Sequence, residues 1–211
     1  MAAGLGHLGL DESGKGDYFG PLVIAGVHVS PELEGPLRDA GVRDSKSLSD
    51  TRAGALSRHI RQSCPHDIVV IGPERYNRMY ASFNNLNKLL AWGHARAIEN
   101  LLEQVACEQV VVDQFGAARF LNTALMDKGR RAQVVQKPRA EVEVAVAAAS
   151  IVARAEFLHR LQDLSREYGM NLPKGASVVI AAGKEFVRKH GPDALGRVAK
   201  LHFRTTEKIL R

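Results

Sequence analysis

Cysteine is scarce in this 211-residue chain, with only Cys64 and Cys107. Two thiols cannot build a disulfide framework, and these two lie in no metal-ligand spacing. Small stapled scaffolds and zinc ribbons are therefore excluded. Cys107, between a helical and a strand-like stretch, reads as buried filler. Aromatic residues are also few, at 6%, so a broad base-stacking platform is not expected. No apolar run reaches the ~18 residues of a membrane span. The N-terminus has no basic region leading into a long apolar one. Internal repeats and low-complexity linkers are absent. The expectation is a cytosolic protein with no membrane partner.

What is present suits a globular α/β chain. Hydrophobic residues make up 45% of it, enough for a sizeable core of Val, Leu, Ile and Ala. The length fits one domain, or one with a small appendage. The net charge of +6 is unevenly spread. Residues 181–211 hold eight basic residues (Lys184, Arg188, Lys189, Arg197, Lys200, Arg204, Lys208 and Arg211) against Glu185, Asp193 and Glu207, a net of +5. Such a segment is either a solvated helix face or a surface for a polyanion. On the second reading Lys184, Arg188 and Lys189 contact phosphates.

Five short runs read as strands: 7–10, 23–29, 67–72, 109–113 and 132–136. The continuous valines of the later runs suggest strands covered on both faces. Helical patterns fall between them, over 49–61, 87–105, 117–127 and 142–167. Shorter helical pieces are expected at 184–190 and 194–201. The stretch 145–150 is almost all small residues, which lets a helix sit close to a sheet. The loop 171–177 divides the chain into a core, 1–170, and a C-terminal helical extension, 171–211.

The richest stretch is Gly9-Leu-Asp-Glu-Ser-Gly-Lys-Gly16, followed by Asp17-Tyr-Phe-Gly-Pro-Leu22. Adjacent carboxylates at Asp11 and Glu12 attract a hard divalent cation. Glycines let the backbone approach a ligand, and Lys15 can hold a phosphate. A nucleotide-binding phosphate loop nearly fits. That pattern ends on Ser or Thr, however, where Gly16 stands here, and it has no place for two acids. Asp113 ends the fourth strand run, as Asp11 follows the first, so it is either a strand-end ligand or the N-cap of the next helix. Glu141 and Glu143 begin the long helix. They either complement its dipole or, for one of them, complete a four-carboxylate nest with Asp11, Glu12 and Asp113. Such a nest repels itself unless cations fill it, and two Mg²⁺ ions would clamp an in-line phosphodiester displacement. Lys46, in Asp44-Ser-Lys-Ser-Leu48, is either a phosphate-neutralising group or part of a polar loop. His7, His94, His159 and His190 have no ligand spacing and read as ordinary residues.

Six blocks in order resemble the type 2 ribonuclease H family, and most closely its ribonuclease HIII branch. They are Asp11–Leu22, Asp44–Leu48, Tyr76-Asn77 with Asn85–Trp92, Val146–Arg154, Leu172–Ala176 and Ala199–Phe203. The resemblance runs from Leu8 to Arg204. It implies an RNase H-like mixed five-stranded sheet flanked by helices, with a small helical C-terminal extension. It implies a monomeric endonuclease that cuts the RNA strand of RNA–DNA hybrids with Mg²⁺ or Mn²⁺, two ions in the catalytic complex, leaving 5′-phosphate and 3′-hydroxyl ends. Asp11, Glu12, Asp113 and Glu141 are the implied metal-binding catalytic acids, with Glu143 as the alternative fourth. Ser13, Gly14, Lys15 and Gly16 are the implied contacts around the scissile phosphate, joined by Lys46 and by Lys174 of the fifth block. Lys15 and Glu141 favour the HIII branch over ribonuclease HII, which cuts at single ribonucleotides in DNA. A non-catalytic module would gain nothing from a repulsive acid nest. Ten residues precede Asp11, so the expectation is a chain without the N-terminal substrate-binding domain usual in ribonuclease HIII.

Overall fold

Branched apolar residues crowd five short runs, and each run is a strand. They are β1 (His7–Ser13), β2 (Leu22–Val29), β3 (His66–Ile71), β4 (Gln109–Asp113) and β5 (Gln133–Lys137). A computed structural model of the chain describes residues 6–43, 45–176 and 178–211, the Lys46 side chain excepted. The strands form one sheet in the order β3-β2-β1-β4-β5. β1 runs parallel to β4 with Leu8 opposite Val110 and Leu10 opposite Val112. β4 runs parallel to β5. The expected mixed five-stranded sheet flanked by helices is the one observed.

Burial corrects one expectation. β2 and the centre of β4 are covered on both faces. β5 alternates exposed and half-buried positions, with Val135 45% exposed, and β3 is mostly half-buried. Both are edge strands with one neighbour each, so less of the molecule covers them.

The helices are α1 (Pro31–Asp39), α2 (Asp50–Ser63), α3 (Pro73–Phe83), α4 (Leu86–Gln104), α5 (Ala118–Ala124), α6 (Val144–Glu167), α7 (Ile180–His190) and α8 (Thr205–Leu210). α2 begins where the Ser49 side chain accepts a hydrogen bond from the Arg52 N–H. α4 begins where the Asn85 side chain accepts from the N–H groups of Asn87 and Lys88. α1, α3 and α8 were not expected from the sequence pattern. α1 and α3 each open on a proline. A proline that bounds a strand is equally at home in the first turn of a helix, where no N–H is needed. The expected helix over 194–201 is instead a 3₁₀ segment, Pro192–Arg197. Its continuation is pulled away, because Phe19 and Ala199 form a β-bridge and the Lys200 N–H donates to Tyr18 O.

The chain divides into two compact units. The first comprises residues 1–12, 24–69 and 85–155. Its core holds Leu8, Leu10, Ile24, Leu89, Ile98, Leu101, Val110 and Val146, all fully buried. The small residues opening α6 serve a close approach. A Cβ on Gly9 of β1 would lie 2.1 Å from the Ala145 carbonyl carbon. The second unit comprises 13–23, 70–84 and 156–211. It contains the whole stretch 171–211 and takes residues from elsewhere in the chain. Its buried residues include Tyr18, Phe157, Leu172, Phe186, Leu195 and Ile209. Cys64 is buried, whereas Cys107 is only half-buried and so is not the filler its position suggested. Among the described residues no helix is long and apolar enough to cross a membrane.

Candidate active site

The acids belong to the first unit, and the sheet register sorts them. Continuing the β1–β4 ladder by one residue brings Asp11 level with Asp113. Side chains alternate along a strand. Gly9 faces α6, so Asp11 does too, and Ser150 of α6 hydrogen-bonds to the Asp11 carboxyl. Leu10 lies toward Leu101 of α4, so Glu12 turns to the α4 side. There its Oε2 lies 3.1 Å from Nε2 of His94. Adjacent acids on one strand are thus divided between the two faces of the sheet.

Asp11 is strongly perturbed. Burial, then the charge of Glu12 and to a smaller extent that of Asp113, push its carboxyl up to about 7. The Ser150 hydroxyl and the Glu12 N–H, at 2.7 Å from Asp11 Oδ1, oppose that rise. Ser150 is itself held by the Ser45 hydroxyl at 2.8 Å. Arg154 donates to Ser45 O, and also to Asp50 Oδ1 at 2.7 Å. The Asp44–Leu48 block therefore reaches Asp11 through Ser45 and Ser150. Asp44 and the Lys46 side chain lie outside the described residues.

Asp113 is not the N-cap of α5, where Ala117 stands. Its Oδ1 accepts from the Ala140 N–H at 3.0 Å. Ala140 opens a single 3₁₀ turn, Ala140–Val142, entered through Arg139 at φ 53°. Asp113 thereby anchors the turn that carries Glu141. Glu143 follows that turn, its carbonyl accepts from Ala147 N–H in the first turn of α6, and its carboxylate pairs with Lys137 at 3.0 Å.

His94 is the residue that sequence reasoning left aside. It is fully buried, and its ring stacks on Phe115 at 4.8 Å with 7° between the planes. Its Nδ1 is buried with no hydrogen-bond partner among the described residues. The tautomer that suits this setting carries its hydrogen on Nε2, toward Glu12. The sequence signal was slight: one histidine inside the apolar stripe of a helix.

The candidate phosphate contacts other than Lys46 belong to the second unit. Gly14 has φ +86°, and a Cβ there would lie 2.3 Å from Pro21 O, so this position demands glycine. Asp17 Oδ1 accepts from the Gly175 N–H at 2.7 Å, and Tyr18 N–H donates to Gly175 O at 2.8 Å. The turn carrying Lys15 and the loop carrying Lys174 are thereby tied together. Ser13 and Lys15 are half-buried, Gly16 and Lys174 exposed. Lys184, Arg188 and Lys189 are exposed on α7, with Lys189 paired to Glu185 at 2.6 Å. Lys200 leaves the basic face altogether. It is fully buried and donates to the carbonyls of Asp17 and Gly20, each at 2.8 Å. Burial lowers its ammonium to about 7, against the opposing charge of Asp17. Asn77 is likewise a scaffold. It donates to Gly196 O and Ala199 O and accepts from Leu201 N–H.

The donor set of the acid cluster suits a hard divalent cation. It consists of carboxylate oxygens, and the raised Asp11 carboxyl records its burial first and then the neighbouring negative charges. Among the described residues no three His, Cys, Asp or Glu side chains stand close enough to hold one ion together. Mg²⁺ is ordinarily held by one or two carboxylates, with substrate phosphates and water completing its shell.

Comparison with known proteins follows the same line. The model of a family described as Ribonuclease HII matches residues 8–206. The chain is 47% identical over 205 residues to the ribonuclease HIII of Protochlamydia amoebophila, covering 97% of this chain and 68% of that one. It is 46% identical over 207 residues to the ribonuclease HIII of Chlamydia pneumoniae, covering 96% and 70%. Among solved structures, Bst-RNase HIII in complex with Mn²⁺ superposes with a TM-score of 0.90 at 35% identity, covering 99% of this chain and 70% of that one.

Proposed function

The chain belongs to the ribonuclease HII family and is of the ribonuclease HIII type, and from that premise we propose that it hydrolyses the RNA strand of RNA–DNA hybrids with divalent metal ions. The observation that carries this reading is the half-buried Asp11, its carboxyl raised to about 7 beside Glu12 and level with Asp113. Acids held this close repel one another, and a divalent cation relieves that repulsion. Asp11, Glu12, Asp113 and Glu141 would hold Mg²⁺ or Mn²⁺, two ions in the catalytic complex. When bound, such ions lower the pKa of water and neutralise phosphate oxygens.

The protein's own groups do the rest. Ser150 and the Glu12 N–H hold the Asp11 carboxyl in place. Asp113, through the Ala140 N–H, fixes the turn bearing Glu141. Ser13, Gly14, Lys15 and Gly16 meet the phosphates flanking the scissile bond, and Lys46 and Lys174 are further phosphate contacts. Lys184, Arg188 and Lys189 contact phosphates further along the duplex. Products carry 5′-phosphate and 3′-hydroxyl ends. The enzyme acts as a monomer in the cytoplasm. The deciding assay is a labelled panel of an all-RNA hybrid, a four-ribonucleotide duplex and a single-ribonucleotide duplex, each with Mg²⁺, Mn²⁺ or EDTA. Metal-dependent cutting of the first two is expected. An uncut hybrid with both metals would overturn the proposal, and efficient cutting at the single ribonucleotide would assign ribonuclease HII-type specificity.

A further inference from the structure

His94 is the buried polar group at the acid cluster that the mechanism leaves without a task. Its Nε2 lies 3.1 Å from Glu12 Oε2, and the Glu12 side chain is only 8% exposed. Phe115, two residues beyond Asp113, holds the imidazole flat at 4.8 Å, so the ring cannot swing away without breaking that stack. His94 Nδ1 has no hydrogen-bond partner among the described residues, so Glu12 is the contact that gives this imidazole its polar purpose. A glutamate has three side-chain torsions, and a fixed donor at Oε2 restricts where that oxygen, and so the carboxylate, can lie. We infer that His94 is a positioning residue for Glu12, orienting its carboxylate as a metal ligand through the Nε2–Oε2 hydrogen bond. This rests on the reading of Glu12 as a ligand given above.

The rival role is packing, in which His94 only fills the space against Phe115. Two substitutions separate them. His94→Phe keeps a flat ring and removes the N–H, whereas His94→Gln keeps an amide N–H at similar reach. The measurement is Mn²⁺ affinity of the full chain, from free Mn²⁺ followed by electron paramagnetic resonance. Loss of an outer partner of a metal ligand commonly costs about 10–100-fold in affinity, so His94→Phe should fall in that range and His94→Gln within about threefold of wild type. In a Glu12→Gln background His94→Phe should cost nothing further, because the group it acts through is gone. If His94→Phe fails to give a wild-type circular dichroism spectrum, His94→Asn, whose shorter amide stops near the Nδ1 position, takes its place in the same cycle. Equal losses for His94→Phe with and without Glu12, or equal losses for His94→Phe and His94→Gln, would overturn the inference in favour of packing. Wild-type Mn²⁺ affinity in Glu12→Gln alone would overturn the ligand reading of Glu12, and this inference with it. Failure of the inference alone leaves the Glu12→Gln loss standing.

Discussion

Asp11→Asn should make the metal-free protein more stable at alkaline pH, although it removes the residue at the centre of the site. Burial and the charges of Glu12 and Asp113 lift the Asp11 carboxyl from the ordinary 3.8 to about 7. At ~1.4 kcal/mol per tenfold change in proton affinity, holding it ionised costs the folded state about 4 kcal/mol. The folded chain binds this proton more tightly than the unfolded chain. Stability therefore falls as pH rises from about 4 to about 7 and is level above that. Asparagine has no charge to bury. Its amide oxygen can keep the Glu12 N–H bond, now 2.7 Å, and its amide N–H can face the Ser150 hydroxyl. Relaxation around the wild-type carboxylate offsets part of the penalty, so a net gain of about 2 kcal/mol is expected at pH 8, or roughly 4–8 °C in Tm for a chain of this size. Near pH 4 the two proteins should melt together. The assay is a set of thermal melts in EDTA from pH 4 to pH 8, repeated with Mn²⁺. Metal should raise the wild-type Tm and not that of the variant. A variant no more stable than wild type at pH 8, or an advantage that does not shrink toward pH 4, would refute the reasoning.

Glu141→Gln should lower hybrid cleavage by at least about 100-fold in single-turnover assays, since a ligand is lost. Glu143→Gln removes only the half-exposed pair with Lys137, worth about 1 kcal/mol or less, and should leave cleavage near wild type; the opposite order would transfer the ligand role to Glu143. Asn77→Ala removes two donated bonds and one accepted bond in the second unit, and should cost about 2–3 kcal/mol in urea denaturation. A loss below about 0.5 kcal/mol would remove its scaffold role. Replacing Lys184, Arg188 and Lys189 together with alanine should weaken hybrid binding, measured with Ca²⁺ in place of Mg²⁺, and flatten its logarithmic salt dependence by up to about three phosphate contacts. Identical slopes for variant and wild type would make α7 a solvated face.

The sequence by itself determined the five strands, the α/β class and the acid that ends β4, whereas β1 runs on past its expected end through Asp11 and Glu12 to Ser13. Those features are local. Branched apolar runs bounded by Gly and Pro specify strands from their own neighbours, and an acid that closes such a run, as Asp113 does, sits at the strand end. The start of α2 was legible for the same reason, because Ser49 caps within its own segment, while α4 starts at Leu86, one residue before its expected start, with Asn85 as its cap. α1 and α3 were less so, since a proline marks both the end of one element and the first turn of another. Only the tertiary structure decided which partners meet across long separations. His94 finds Glu12 over 82 residues, and Lys200 finds the Gly20 carbonyl over 180. Nothing in the local pattern of α4 distinguishes His94 from a core filler, nor anything near Lys200 from a solvated lysine. Their roles arise from which helix covers which face of the sheet and from which loop closes on the glycine turn. The division of Asp11 and Glu12 has the same origin. Alternation says that neighbours on a strand point apart, but only the packing of α6 on one face and α4 on the other determines what each acid meets.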